Sequence, residues 1–277
     1  MVPHSRQCRL AMTVERERIS VVIADSLQEP GARLLCRDIQ LPFEVKDPDS
    51  VLPAVAAIEN AVYENPALLA DFDAAFVSVD SGMWTVVPQA AQTEDMDEAI
   101  AIASLPQEKT VRTTAVRCPI DGTGTVLVSL LPTEIVGFLQ RTFNNPSICH
   151  PLQLLAAHFV RSARINGTPT VHAHFRAGRR MDIIVLDRSS LLLANTFSYH
   201  DPMDAVYYLL ASTSTLGLEA AGVQLRLSGE PSSRQELMPL ISPHMPSVMS
   251  AVFPAALLRE GTQALNAPLE LTTKVCE

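Results

Sequence analysis

The sequence has little lysine, few aromatic residues and no long apolar run. Lysine occurs only at positions 46, 109 and 274, and aromatic residues make up 5% of the 277 residues. Acidic residues outnumber basic ones by 30 to 21, and the formal net charge of -9 argues against a nucleic-acid surface over the whole molecule. No stretch approaches the roughly 20 apolar residues of a membrane-spanning helix, and the N-terminus lacks the apolar core of a signal peptide. We therefore expect a cytoplasmic protein with no membrane span.

Cysteine is scattered without any Cys-x-x-Cys spacing. An odd number without that spacing excludes a disulfide framework and a zinc knuckle, so free thiols are expected. The hydrophobic share of 47% and the charged share of 18% are typical of a folded chain with a large core. The length allows one large domain or two moderate ones. The five cysteines are Cys8, Cys36, Cys118, Cys149 and Cys276.

The two halves of the chain differ in charge. Between residues 44 and 98 twelve acidic residues are opposed only by Lys46, whereas arginines gather between residues 161 and 188. Such asymmetry indicates either a polar partner or two lobes with solvated, mutually attractive faces, and we favour the second interpretation.

A strong chain breaker, Asn166-Gly167-Thr168-Pro169, divides two similar series of elements. We predict a flexible leader over residues 1–18, a first lobe over 19–167 and a second lobe over 168–277. Each lobe follows the order β-β-β-α-β-α, which favours an α/β class of two tandem lobes with an interlobe cleft. This order is used by ribonuclease H-like and actin-like ATPase folds.

Local patterns place the elements within each lobe. In the first, we predict strands over 19–24, 32–41, 75–79, 84–87, 111–117 and 125–131, with turns at 80–82 and 121–124, and a helix over 132–143. In the second, we predict strands over 171–175, 181–186, 191–198 and 223–227 and a last strand over 269–275. Asp201 is the expected N-cap of one helix, and Ser233 with Glu236 the expected capping box of another.

Several short stretches also resemble a family. They are Trp84-Thr85-Val86-Val87-Pro88, Val126 to Pro132, His150, Asn195-Thr196-Phe197, Asp204, Tyr207-Tyr208-Leu209-Leu210 and the terminal Cys276-Glu277. Together they resemble an uncharacterised bacterial domain-of-unknown-function family, similar to duplicated actin-like ATPase domains, from about residue 19 to the end. The resemblance implies a fold and no particular reaction.

The same resemblance implies where nucleotide would bind. Active actin-like ATPases hold phosphates with the first hairpin of each lobe, whose turn carries Asp-x-Gly followed by Ser or Thr. Here the first turn offers Asp25 and Ser26, but Leu27 replaces the glycine. The second turn offers Arg176 and Arg179 without a carboxylate to hold a metal ion. The adenosine-side pattern is only partly matched, by Ser228, Gly229 and Ser232.

Other polar groups have simpler explanations. Asp121-Gly122-Thr123-Gly124 precedes a strand, so we interpret it as a hairpin turn rather than a phosphate loop. His172 and His174 face the same way without a third ligand, which favours surface or interlobe histidines over a metal site. We expect His150 to be a packed or hydrogen-bonded residue before a helix, and Tyr207 and Tyr208 to be architectural.

We therefore predict a non-catalytic pseudo-ATPase that binds another protein or acts as a scaffold, with no catalytic residue, no metal and no cofactor. A homodimer is left open, and nucleic acid is not expected. Two alternatives remain: a nucleotide-binding switch or phosphotransferase that binds ATP through the cleft residues, including Arg176 and Arg179, and RNA binding through the arginine-rich middle.

Overall fold

A computed structural model describes residues 8–42, 54–89, 94–105, 112–163, 168–188, 190–251, 255–261, 264 and 267–276. The chain forms two compact units. The first contains Met1–Pro119, Thr125–Leu154 and Phe253–Glu277, and the second contains Ile120–Gly124 and Leu155–Val252. This division differs from the expected lobes, because the C-terminal segment belongs to the first unit and part of the helix before residue 164 to the second.

The described chain contains both strands and helices, often with two or three strands in succession. The strands are β1 (Cys8–Val14), β2 (Arg18–Asp25), β3 (Leu34–Gln40), β4 (Ala74–Val79), β5 (Trp84–Pro88), β6 (Thr113–Ile120), β7 (Thr125–Pro132), β8 (Ser147–Cys149), β9 (Thr170–Arg176), β10 (Arg180–Asp187), β11 (Ser190–Ser198), β12 (Gln224–Gly229) and β13 (Val248–Ser250). The helices are α1 (Val55–Tyr63), α2 (Glu94–Ser104), α3 (Thr133–Thr142), α4 (Pro151–Ala163), α5 (Pro202–Thr215), α6 (Pro231–Ile241), α7 (Ala255–Leu258) and α8 (Leu269–Cys276). Short 3-10 turns lie at Pro66–Leu69 and Ala220–Gly222.

Each unit contains a five-stranded sheet with the same strand order. In the first unit the order is β3-β2-β1-β4-β8, and in the second it is β11-β10-β9-β12-β13. In both, the first three strands are antiparallel neighbours and the last two run parallel to the first strand of the unit. The chain therefore has two lobes of the expected actin-like topology.

The predicted leader contains a central strand. β1 pairs with β2 on one side and β4 on the other, and six of its seven residues are buried. Thr13 is buried too, and its hydroxyl lies 2.6 Å from that of Ser78. A strand covered on both faces shows no apolar–polar alternation, so this segment did not look like a strand in the sequence. Arg9, a basic residue typical of a loose leader, is the one exposed residue of this strand.

The core of the first unit lies on both faces of its sheet. Leu10, Met12, Val21 and Ile23 face a cluster shared with α1 and α3. Ala11, Val22 and Ala24 face the opposite way, toward α8. Burial of these apolar surfaces is the main source of stability for such a sandwich of layers.

A separate three-stranded sheet, in the order β5-β7-β6, lies within the first unit. The predicted strands 75–79 and 84–87 are both present as β4 and β5, but they do not pair across the turn at 80–82, because they belong to different sheets. The predicted turn at Asp121–Gly124 is confirmed: Thr123 N–H donates to the Ile120 carbonyl over 3.2 Å, and Gly122 and Gly124 have φ of 84° and 67°.

The second unit follows its predicted elements closely until residue 229. Asp201 caps α5: its carboxylate accepts from Met203 N–H at 2.8 Å, while Asp204 accepts from Asp201 N–H at 2.9 Å. The predicted capping box at Ser233 and Glu236 is wrong. α6 begins at Pro231, so its N-cap is Glu230, three residues before Ser233, and the Glu230 side chain makes no capping bond.

The predicted C-terminal strand is also wrong, because Leu269–Cys276 forms helix α8. Pro268 precedes its first turn, and Thr272 and Thr273 back-bond to the Leu269 carbonyl over 3.1 and 2.9 Å. The helix buries Leu271 and Val275 against β1 and β2. Tertiary burial thus overrides the strand preference of the Leu-Thr-Thr-Val composition.

Candidate functional site

Ligands of open α/β sheets usually bind at the carboxyl ends of the parallel strands. We call this the carboxyl edge of each sheet. In the first unit it comprises the ends of β1, β4 and β8 with the β1–β2 turn. In the second unit it comprises the ends of β9, β12 and β13 with the β9–β10 turn.

The carboxyl edge of the second unit contains most of the predicted site residues. Arg176 ends β9, and Ser228 and Gly229 end β12, which lies beside β9 with Gly229 opposite Phe175. Arg179 lies in the β9–β10 turn with φ of 55°. Its guanidinium donates to the His200 carbonyl over 2.5 Å and lies 3.7 Å from the Glu236 carboxylate. Ser232 is exposed in the first turn of α6.

Arg176 forms a buried ion pair within the sheet. Its Nε donates to Asp182 Oδ2 over 2.6 Å, and the two side chains are 3% and 1% exposed. The other carboxylate oxygen, Oδ1, accepts from the Thr196 hydroxyl over 2.7 Å. The sequence offers Arg176 as a cleft residue for phosphate and does not show Asp182 as its partner. The register of the β9–β10 hairpin places Asp182 opposite His174, two residues from Arg176 along the strand. A hairpin centred on Gly178 therefore predicts that Asp182 lies near Arg176.

His174 and His172 lie on the same face of β9 and are buried. Of the two predicted environments, surface or interlobe, the first is therefore wrong. The His174 Nδ1 atom lies 2.9 Å from the Ser228 hydroxyl, and the His172 ring stacks on Phe159 of α4 with 3.9 Å between centroids. Burial lowers the pKa of His174 to about 4 and that of His172 to about 3. Nearby arginines, Arg176 and Arg226 respectively, add to the shift. Both rings are therefore neutral at pH 7.

Gly229 is required by the packing of this edge. Its φ is 86°, and a Cβ at this position would lie 2.0 Å from the Phe175 carbonyl oxygen. The same carbonyl accepts from Glu230 N–H over 2.9 Å, and the Gly229 carbonyl accepts from Arg234 Nε over 3.1 Å. The close approach that the glycine permits is therefore to the protein's own backbone.

Two predicted residues of the first unit lie elsewhere. Asp25 and Ser26 belong to the β2–β3 turn, and Asp25 pairs with Cys8 at the amino end of β1, opposite the carboxyl edge. Leu27 N–H donates to the Asp25 carboxylate over 3.0 Å, as in a local turn. A leader over residues 1–18 would make the β2–β3 hairpin the first of the lobe, whereas in the structure it is the second, after β1–β2.

The hairpin turn that corresponds to the β9–β10 turn is Glu15-Arg16-Glu17, between β1 and β2. It contains no glycine and no Asp-x-Gly. Arg18 Nε donates to the Glu15 carboxylate over 2.5 Å, and Glu15 N–H donates to the Arg18 carbonyl over 2.9 Å. The turn is thus closed by its own side chains.

The remaining carboxyl edge of the first unit is formed by Asp80, Ser81 and His150, which are all buried. Leu152 N–H donates to His150 Nδ1 over 3.2 Å, so the ring proton is on Nε2, which donates to the Ser81 carbonyl over 3.0 Å. Asp80 Oδ1 lies 3.7 Å from Nε2, and the Trp84 ring lies 5.4 Å from the imidazole. The expectation of a packed, hydrogen-bonded His150 is confirmed.

Metal-binding geometry is not seen among the residues that the structure describes, where no three His, Cys, Asp or Glu side chains come together suitably. None of the five cysteines, all of them described by the structure, is in a disulfide, as expected. Burial raises the pKa of the Cys118 thiol to about 12, which is far from the range of a nucleophilic thiolate. No helix in the described part of the chain is long and apolar enough to cross a membrane.

Comparisons with known proteins give a family and a fold. A family model described as "Protein of unknown function (DUF3822)" matches residues 2–248. A protein of Bacteroides thetaiotaomicron with an actin-like ATPase fold and unknown function is similar, with a TM-score of 0.75, 18% identity and coverage of 89% of this chain and 91% of that one. A structure of the PilM-PilN type IV pilus biogenesis complex is similar, with a TM-score of 0.59, 13% identity and coverage of 97% and 98%. No curated protein matches in sequence.

Proposed function

The chain belongs to the DUF3822 family, whose function is unknown, and we propose that it is a non-catalytic protein-binding module with an actin-like ATPase fold. The observation that carries the proposal is the β1–β2 turn. Glu15-Arg16-Glu17 stands where the resemblance to active ATPases implies an Asp-x-Gly pattern, and the Glu15 carboxylate is already paired with Arg18. Without glycine, the backbone cannot approach a phosphate closely.

The carboxyl edge of the second unit supports the same proposal. Arg176 is neutralised by Asp182, and Arg179 is engaged by His200 and Glu236. Each of these two arginines thus already has a partner within the protein. Gly229, the best match to the adenosine-side pattern, is explained by its contact with Phe175.

A protein partner is favoured by the fold's relatives and by charge. One similar structure is a complex of two proteins, PilM and PilN. In this chain, Glu64, Asp71 and Asp73 are exposed on the acidic segment of the first unit. We assign the partner contact to this surface, so the partner should be basic and its binding should weaken with salt.

The test is co-purification of the tagged chain from its native cells, followed by reconstitution with the purified partner. We expect the dissociation constant to be the same with and without Mg-ATP and to rise with salt. The triple variant Glu64→Gln, Asp71→Asn, Asp73→Asn should weaken binding at least about tenfold. Glu219→Gln, an exposed acid of the second unit, should not. A nucleotide requirement for binding would favour the switch alternative, and failure to retain any partner would count against the proposal.

A further inference from the structure

The edge strands of the three sheets are protected unequally. An edge strand exposes unpaired N–H and C=O groups, and proteins protect such edges with charges, prolines or short length. β3 carries the exposed charges Arg37 and Asp38, and β8 and β13 have three residues each. β5 and β6 contain Pro88 and Pro119. Five of the six edges are thus protected.

The sixth edge strand, β11, has no charge, no proline and no short length to protect it; the irregularity in its pairing is one register shift against β10, at Leu192. Its sequence, Ser-Leu-Leu-Leu-Ala-Asn-Thr-Phe-Ser, contains no charge and no proline over nine residues. Within the described residues it pairs only with β10, and none of its residues is buried. β3 occupies the same place in the first unit, so the two edges can be compared directly: one is charged and the other is not.

An exposed apolar surface runs beside this edge. Phe197 of β11 stacks on Tyr208 of α5 at 4.6 Å, and Tyr208 contacts Tyr207 at 5.6 Å. Tyr207 is 66% exposed, and Met203, one helical turn earlier on the same face, is 49% exposed. Large apolar side chains that adjoin an unprotected strand edge are typical of an interface.

We propose that β11 pairs antiparallel with β11 of a second copy of this chain, about a two-fold axis near Ala194. An antiparallel strand pair is self-complementary, as a two-fold interface must be. The small side chain of Ala194 allows close approach at the axis. The two sheets then form one continuous sheet, and α5 of each copy lies beside the other, so that Tyr207 and Met203 contribute apolar area beyond the strand pair.

The charges that flank β11 favour the antiparallel direction. Arg188 is exposed just before the strand, and Asp201 is exposed just after it. Antiparallel pairing about Ala194 brings Arg188 of each copy toward Asp201 of the other, whereas parallel pairing would bring the two arginines together. A second copy is therefore the occupant that matches both the uncharged strand and its charged ends.

The test is the mass of the full-length chain by sedimentation equilibrium over an about hundredfold range of concentration. We expect twice the 30.1 kDa of one chain at the upper end. Leu192→Lys and Asn195→Lys place a charge on exposed positions of β11 and should each raise the dimer dissociation constant at least about tenfold. Gln40→Lys makes the same kind of change on exposed β3 and should leave the constant unchanged. Far-UV circular dichroism checks that every variant is folded.

Hydrogen exchange locates the contact. Amides of residues 190–198 should become more protected as the concentration rises, while those of residues 34–40 should not. A monomer at every concentration overturns the proposal. That result would favour a strand of another protein as the partner of β11. The proposal is also overturned by a dimer whose dissociation constant is unchanged in both lysine variants, or by one in which the amides of β11 gain no protection.

Discussion

Arg176 and Asp182 form an ion pair across the β9–β10 hairpin, with 2.6 Å between Nε and Oδ2 and almost no exposure to solvent. Asp182 also accepts from Thr196, so one carboxylate ties together three positions on three adjacent strands. An arginine that the sequence offered as a phosphate ligand is therefore part of the structural framework of the second unit. This relationship leads to the first prediction.

Replacing Asp182 with Asn should destabilise the protein by about 3–5 kcal/mol, because it leaves the Arg176 guanidinium buried without its counter-charge. The free energy of unfolding in urea measures the effect. Glu236→Gln removes the partner of Arg179 in an ion pair whose side chains are 49% and 44% exposed, and should cost no more than about 1 kcal/mol. Equal costs for the two variants would contradict the role assigned to the buried pair.

Gly229→Ala should strongly destabilise the second unit. The new Cβ would lie 2.0 Å from the Phe175 carbonyl oxygen, and φ of 86° is unfavourable for alanine. Gly178→Ala is the matched control, since its φ is 71° but nothing lies within 4 Å of the new Cβ; it should cost only about 1 kcal/mol. Chemical denaturation compares the two. A mild Gly229→Ala variant would show that the backbone contact with Phe175 is not a constraint.

The buried histidines should make the protein sensitive to acid. Burial lowers the pKa of His172 to about 3, whereas an unfolded histidine titrates near 6.5. Between these values the unfolded chain binds a proton that the folded chain does not, so the free energy of unfolding falls as pH drops from about 6.5 toward 3. The free energy of unfolding of His172→Leu minus that of the parent should therefore be about 2 kcal/mol larger at pH 5 than at pH 8.

His172 suits this experiment because no described atom hydrogen-bonds to its ring nitrogens, so leucine leaves no partner unsatisfied. His158 and Arg226 remain in both proteins and act on the same site. The exposed His244 provides the control: His244→Gln should leave the pH dependence unchanged. Parallel stability curves for His172→Leu and the parent would show that this ring is not a source of acid sensitivity.

The sequence predicted the second unit well because its elements carry local signals. β9, β10 and β11 are separated by short polar turns, and α5 has Asp201 and Pro202 at its start. β1 carries no such signal, since its burial on both faces removes the alternation. The sequence does not predict α8, because its helical state depends on burial against β1 and β2. Local propensity carries no information about that packing.

The site was harder to predict than the fold. The assignment of the site depends on which turn belongs to the first hairpin of a lobe. Because β1 is not recognisable as a strand in the sequence, the prediction falls on the turn at Asp25, whereas the first hairpin turn is at Glu15–Glu17. In the second unit, Ser228 and Gly229 lie at the end of β12, beside the end of β9 that carries Arg176. The ion pair of Arg176 with Asp182, however, and the hydrogen bond from Thr196 to Asp182 join neighbouring strands, and such partners follow only from the register of the sheet.

The most direct test of the central claim is the stability of the full-length chain in saturating Mg-ATP, Mg-ADP or Mg-GTP, with phosphate release followed in parallel. A nucleotide that binds the folded state would add about 2.7 kcal/mol at a hundredfold its dissociation constant. The account predicts no change in melting temperature and no phosphate release above the uncatalysed rate. A saturable rise in melting temperature that Arg179→Ala abolishes, or turnover that depends on Mg²⁺, would contradict it.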